Sequence, residues 1–101
     1  MSIVQDRTEE GWLIRVDGDV DLASAPALED ALEKAGEDPV RVDLSGVTFM
    51  DSSGLRVLLA ASKRAKERGH HLTLASPAGP VRRLLEITGL DKELAVSDDQ
   101  G

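Results

Sequence analysis

Residues 40–75 constrain the fold most, because three segments with different apolar periods follow one another almost without a gap. In "VRVDL", Val40, Val42 and Leu44 alternate with Arg41 and Asp43, as in a strand with one buried face. From Ser52 to Arg68, Leu55, Leu58, Leu59, Ser62 and Ala65 return to one side of a helix. Lys63, Arg64, Lys66 and Arg68 fill its last turns, where cations complement the carbonyl end of the helix dipole, and Gly69 stops it. "HLTLA" then alternates as a second strand. A strand, a helix and a strand this closely spaced make a parallel pair with a right-handed crossover.

The flanking segments extend the same order. "SIVQDRT" and "WLIRVDG" are strand-like, and "EEG" between them is a hairpin turn, so the chain opens with two antiparallel strands. "SAPALEDALEKAG" is a helix with Ser24 as candidate N-cap, Pro26 in the first turn and Gly36 at the end. Its apolar stripe is Leu28, Ala31, Leu32 and Ala35. "GPVRRLLEITG" is a third helix with Val81, Leu84, Leu85 and Thr88 inward, and "LAV" a short last strand. The predicted architecture is α/β: one mixed, mostly parallel sheet of four to five strands. Because the strands alternate rather than being apolar throughout, the helices are expected mainly on one face, with the other partly open.

Composition narrows the function. A chain of 101 residues is one domain with no room for a separate catalytic one, and its 41% hydrophobic and 31% charged residues suit a folded protein. Zero cysteines exclude disulfides, thiolate catalysis and cysteine-type zinc sites. They fit a reducing cytosol, and a cytoplasmic protein is expected. "MSIVQDRTEEGW" is no signal peptide, and no apolar run approaches the ~20 residues of a membrane-spanning helix. The formal charge of −7 argues against sequence-independent nucleic-acid binding.

"FMDSSGL", residues 49–55, crowds a carboxylate and two hydroxyls at the junction between a strand and a helix. In an open α/β sheet that junction lies at the carboxyl edge, where ligands and reactions collect. Ser52 or Asp51 would sit at the N-cap, and Gly54 would let another backbone approach closely in the first turn. A plain helix cap accounts for the hydroxyls. It leaves unexplained the large apolar pair Phe49 and Met50 just before the cap, placed in the loop either as a staple against Leu55 or as a contact surface.

A serine hydrolase would need a nearby base, yet His70 and His71 lie at the far end of the same helix, about 25 Å away. Two adjacent histidines entering a strand point to opposite faces, which disfavours a shared metal. "DSSGL" is no P-loop. A serine at an exposed helix N-terminus is, however, a suitable acceptor for a phosphoryl group brought by a kinase. Free N–H groups and the helix dipole would favour the product, and Asp51 would oppose it.

The segment from "VDLSGVTFMDSSGL" to "RRLLEITGL" is similar to the STAS-domain family of bacterial anti-sigma factor antagonists, with "GDVDLASAP" and "SPAGPVRRLLEITGL" resembling two further family motifs. The likeness spans about Ile3 to Val96, within one domain at 1–97 followed by a mobile tail at 98–101. It implies a protein that, unphosphorylated, binds an anti-sigma factor with serine kinase activity and frees a sigma factor. The same kinase, using its own ATP and magnesium, would phosphorylate it, and a PP2C-type phosphatase would reset it. No cofactor or metal of its own is implied.

The acceptor position maps onto Ser52, and Ser53 matches the second hydroxyl position as a helix-start residue. Asp21 and Asp51 match acidic positions beside the acceptor, with Leu22, Phe49, Met50, Gly54, Leu55 and Arg56 completing the partner-binding set. Arg56 departs from the small residue common after the leucine, and either pairs with phosphate or is a plain surface cation. Leu22 is a contact residue or packs ahead of its helix; Trp12 is core filling, and Arg82 and Arg83 a solvated face. The competing function is an accessory subunit of a membrane transport complex, a role that related STAS domains serve.

Overall fold

The computed structural model describes residues 1–36 and 38–97. Its strands are β1 (Ser2–Thr8), β2 (Gly11–Val20), β3 (Val40–Met50), β4 (Leu72–Ala75) and β5 (Ala95–Ser97). The helices are α1 (Ala25–Lys34), α2 (Ser52–Glu67) and α3 (Gly79–Thr88), with a 3₁₀ turn at Leu90–Lys92 that was not expected. The five strands lie side by side in chain order. β1 is antiparallel to β2, and every other neighbouring pair is parallel. Successive right-handed crossovers that advance in one direction put their helices on one face, as expected.

The opening hairpin turns on Glu9 and Glu10, with the Thr8 hydroxyl donating to the Gly11 carbonyl at 3.0 Å. Gly11 begins β2 rather than closing the turn. Its φ of +139° favours glycine, and a Cβ there would collide with the Pro39 carbonyl, the group that accepts from the Trp12 N–H.

One face of the sheet is dry. Ile14, Val16, Val42, Leu44 and Leu74 are fully or almost fully buried, together with Leu28 of α1, Leu58 of α2 and Val81 and Leu85 of α3. Each such side chain contributes about 1.5–3 kcal/mol by leaving water. Intervening positions Leu13, Arg41 and Thr73 are only half-buried, so the second face is partly open. Trp12 is half-buried against the core, with the Arg7 guanidinium 5.2 Å above its ring.

Two expectations change. Thr88 is exposed rather than inward, and its hydroxyl donates back to the Leu84 carbonyl at 2.8 Å. Ser24 flanks α1 but does not cap it: its backbone is helical and its hydroxyl turns towards Asp21. The tail expected at 98–101 lies outside the described residues. Among the described residues no helix is long and apolar enough to cross a membrane.

Candidate functional site

β3 is the element that builds the site, because it is longer than its alternating segment indicates. β4 pairs only with Val40–Asp43, yet β3 continues to Met50 along the end of β2. Register shifts between Arg15 and Asp17 and between Gly18 and Asp19 hold the pairing across Gly46, ending in Asp19 beside Phe49 and Val20 beside Met50. Phe49 and Met50 are therefore strand residues, not loop residues. Alternation sends Met50 into the core, 4% exposed, and leaves Phe49 outside at 49%.

A single residue, Asp51, connects β3 to α2. Its N–H donates to the Val20 carbonyl at 3.1 Å, stitching it to β2. Its Oδ1 accepts from the Ser53 N–H at 2.8 Å and the Gly54 N–H at 3.4 Å. Asp51 is thus the N-cap, and Ser52 is the first residue of the helix. The Ser52 side chain is exposed, and among the described residues no protein group engages its hydroxyl.

Two of the first-turn N–H groups expected to be free for a phosphate, those of Ser53 and Gly54, are therefore occupied by the Asp51 carboxylate. Gly54 and Leu55, in the same first turn as Ser52, are buried. A Cβ on Gly54 would stand 2.8 Å from both Met50 Cγ and Val20 Cγ1, so the close approach at Gly54 is made by side chains.

The segment after β2 lies alongside, because the ends of β2 and β3 are paired. There Asp21 folds a tight turn. Its Oδ1 accepts from the Ala23 and Ser24 N–H groups, each at 3.1 Å, and from the Ser24 hydroxyl at 3.1 Å. These bonds, the Ser24 backbone one first, hold its carboxyl below the ordinary value of 3.8. The turn throws Leu22 outward, 77% exposed, so it does not pack ahead of α1. Asp19 accepts from the Thr48 hydroxyl at 2.6 Å across the strands.

α3 runs beside the part of β3 that β4 leaves unpaired, entering where the Ala78 N–H donates to the Leu44 carbonyl. Between them is a shallow cavity of about 440 Å³ lined by Phe49, Met50, Gly79, Pro80, Arg83, Leu84 and Ile87. Ile87 is 75% exposed. Sequence reasoning missed it, although an isoleucine off the Val81–Leu85 stripe was the available signal. Arg56, one turn beyond Ser52 on α2, is exposed and has no described carboxylate partner.

A sheet of this order, with an exposed serine two residues beyond a buried strand end, coincides with a match of residues 3–96 to the family model described as "Mlab, STAS domain". The chain belongs to the STAS-domain family. The anti-sigma-B factor antagonist of Listeria monocytogenes is 35% identical to it, over 97% of this chain and 89% of the relative. The Bacillus subtilis protein of the same name is 34% identical, over 90% and 85%. The crystal structure of an anti-sigma factor antagonist from Mycobacterium paratuberculosis superimposes with a TM-score of 0.88 at 26% identity, over 98% of this STAS domain and 86% of that chain.

Proposed function

We propose that this STAS domain is an anti-sigma factor antagonist of the cytoplasm, a regulatory binding protein rather than an enzyme, switched at Ser52. With Ser52 free it binds an anti-sigma factor that has serine kinase activity, and that factor releases its sigma factor. The observation that carries the reading is the Ser52 hydroxyl: exposed, unengaged among the described residues, and two residues beyond the end of β3, at an edge that also presents Leu22 and Phe49. The names of the relatives supply the partner class.

In the transfer step the Ser52 oxygen attacks the γ-phosphorus of ATP held with magnesium by the partner. The bond to the ADP oxygen breaks, and the hydroxyl proton passes to a base of the kinase. The product gains about −1.5 to −2 charges at pH 7. Asp51 already occupies the Ser53 and Gly54 N–H groups, so phosphate there meets a like charge beside donors that are already taken. Arg56, four residues along the helix, is within reach of it. A desolvated like-charge contact costs a docked partner several kcal/mol, enough to end binding. A PP2C-type phosphatase then restores the hydroxyl.

The test is intact-mass analysis of the wild type and Ser52→Ala after incubation with ATP, magnesium and each candidate anti-sigma kinase from the same genome. One added phosphate on the wild type alone is expected. Absence of transfer with every kinase, both proteins being folded, refutes the switch and favours an accessory subunit of a membrane transport complex.

A further inference from the structure

α2 carries an arginine that nothing in the unmodified helix explains. Arg56 is exposed, and among the described residues no carboxylate pairs with it. On a helix surface the neighbours of a side chain are those three and four places away. For Arg56 these are Ser52, Ser53, Leu59 and Ala60, none of them charged. The carbonyl end of α2, which favours the cations at Arg64 and Lys66, lies further along the helix. Towards the amino end the helix dipole gives a cation no support.

The position changes character once Ser52 carries phosphate. Residues four apart on a helix have Cβ atoms about 6 Å from each other, so a guanidinium at 56 reaches a phosphate at 52. Ser52 and Arg56 are both exposed and share one stripe of α2, while Leu55, Val57 and Leu58 turn to the core. The carboxylates nearby are already engaged. Asp51 accepts from the Ser53 and Gly54 N–H groups, Asp21 from the Ala23 and Ser24 N–H groups, and Asp19 from the Thr48 hydroxyl. All three have the sign of the phosphate and repel it. Arg83 stands on another element, across the cavity that Phe49 lines.

We propose that Arg56 is the counter-ion of the phosphorylated state: phosphate on Ser52 captures its guanidinium through paired N–H···O bonds, the geometry that arginine favours with phosphate. This capture rests on modification at Ser52, as proposed above. Phosphorylation then changes two charges of the edge together. It adds the phosphate, and it withdraws an exposed cation from any partner docked there.

The test uses the full chain with phosphoserine placed at position 52 during translation, so it does not depend on finding the kinase. Phosphorus NMR against pH reads the second ionisation of the phosphate, ordinarily near about 6. Asp19, Asp21 and Asp51 push its midpoint up, and Arg56 pulls it down. Arg56→Gln is expected to raise the midpoint by about 0.3 unit or more above that of the otherwise unchanged chain. Arg56→Lys, which keeps the charge without the fork, should restore part of the difference, and Arg83→Gln should leave the midpoint in place. A readout that needs no variant is the Arg56 Nε–H signal, which should shift with pH at the midpoint of the phosphate. An Arg56→Gln midpoint equal to that of the parent chain, an equal effect of Arg83→Gln, or an Nε–H signal indifferent to the phosphate titration would each overturn the capture. Arg56 would then be a plain surface cation, and the switch at Ser52 would stand. Failure of the switch itself is read separately, as absence of transfer from every kinase.

Discussion

Asp51 and Asp21 do at the residue scale what their position beside Ser52 does not advertise: both spend their carboxylates on backbone N–H groups. Asp51→Ala removes the side-chain cap of α2 and is expected to cost about 0.5–2 kcal/mol in urea unfolding. The Asp21 carboxyl is held below 3.8, its ordinary value. A depressed folded-state value means that its charged form stabilises the fold above the unfolded value, and that this contribution fades as pH falls through the folded one. Carboxyl NMR should therefore give Asp21 a midpoint below 3.8, and the Tm difference between wild type and Asp21→Asn should shrink in acid below that value. Gly54 is set by packing rather than by backbone angle. Gly54→Ala pushes a methyl into Met50 and Val20, an overpacking expected to cost about 1–3 kcal/mol. A variant as stable as the wild type would show that those side chains yield freely.

β3, α2 and α3 set the site at the scale of elements. β3 carries Phe49 outward and Met50 inward, and α3 stands beside it because β4 stops short. Phe49→Ala deletes exposed surface, so its Tm should stay within about 0.5 kcal/mol equivalent of the wild type. If this edge is the partner surface, the same variant should weaken anti-sigma factor binding by about tenfold or more in calorimetry, as loss of a buried aromatic anchor does. Unchanged affinity would place the partner elsewhere. Phosphate at Ser52 meets an N-terminus already capped, so backbone shifts should change at the start of α2 and in the neighbouring 21–24 turn. Changes spread over the sheet would mean a refolding switch instead.

The whole molecule is one cooperative layer, since the buried residues of sheet and helices form a single cluster. Trp12 reports on β2 and far-ultraviolet circular dichroism on the helices, so their urea midpoints should coincide. Separate midpoints would divide the layer. The chain's own periodicities determined much of this. Alternation in 40–44 and 71–75 and the stripes at Leu28–Ala35 and Leu55–Ala65 report burial directly, because a side chain's face follows from its place in a regular element. The place of Ser52 was legible too, as a hydroxyl at a strand-to-helix junction. What those patterns did not contain is how far β3 runs, for beyond Leu44 "SGVTFM" loses strict alternation. Only pairing with β2, through its register shifts, holds that stretch extended. For the same reason the tertiary structure alone decided which of Phe49 and Met50 faces water. It also decided that Leu22 and Ile87 stay exposed. Those are relations between segments distant in sequence, and local periodicity carries no information about them.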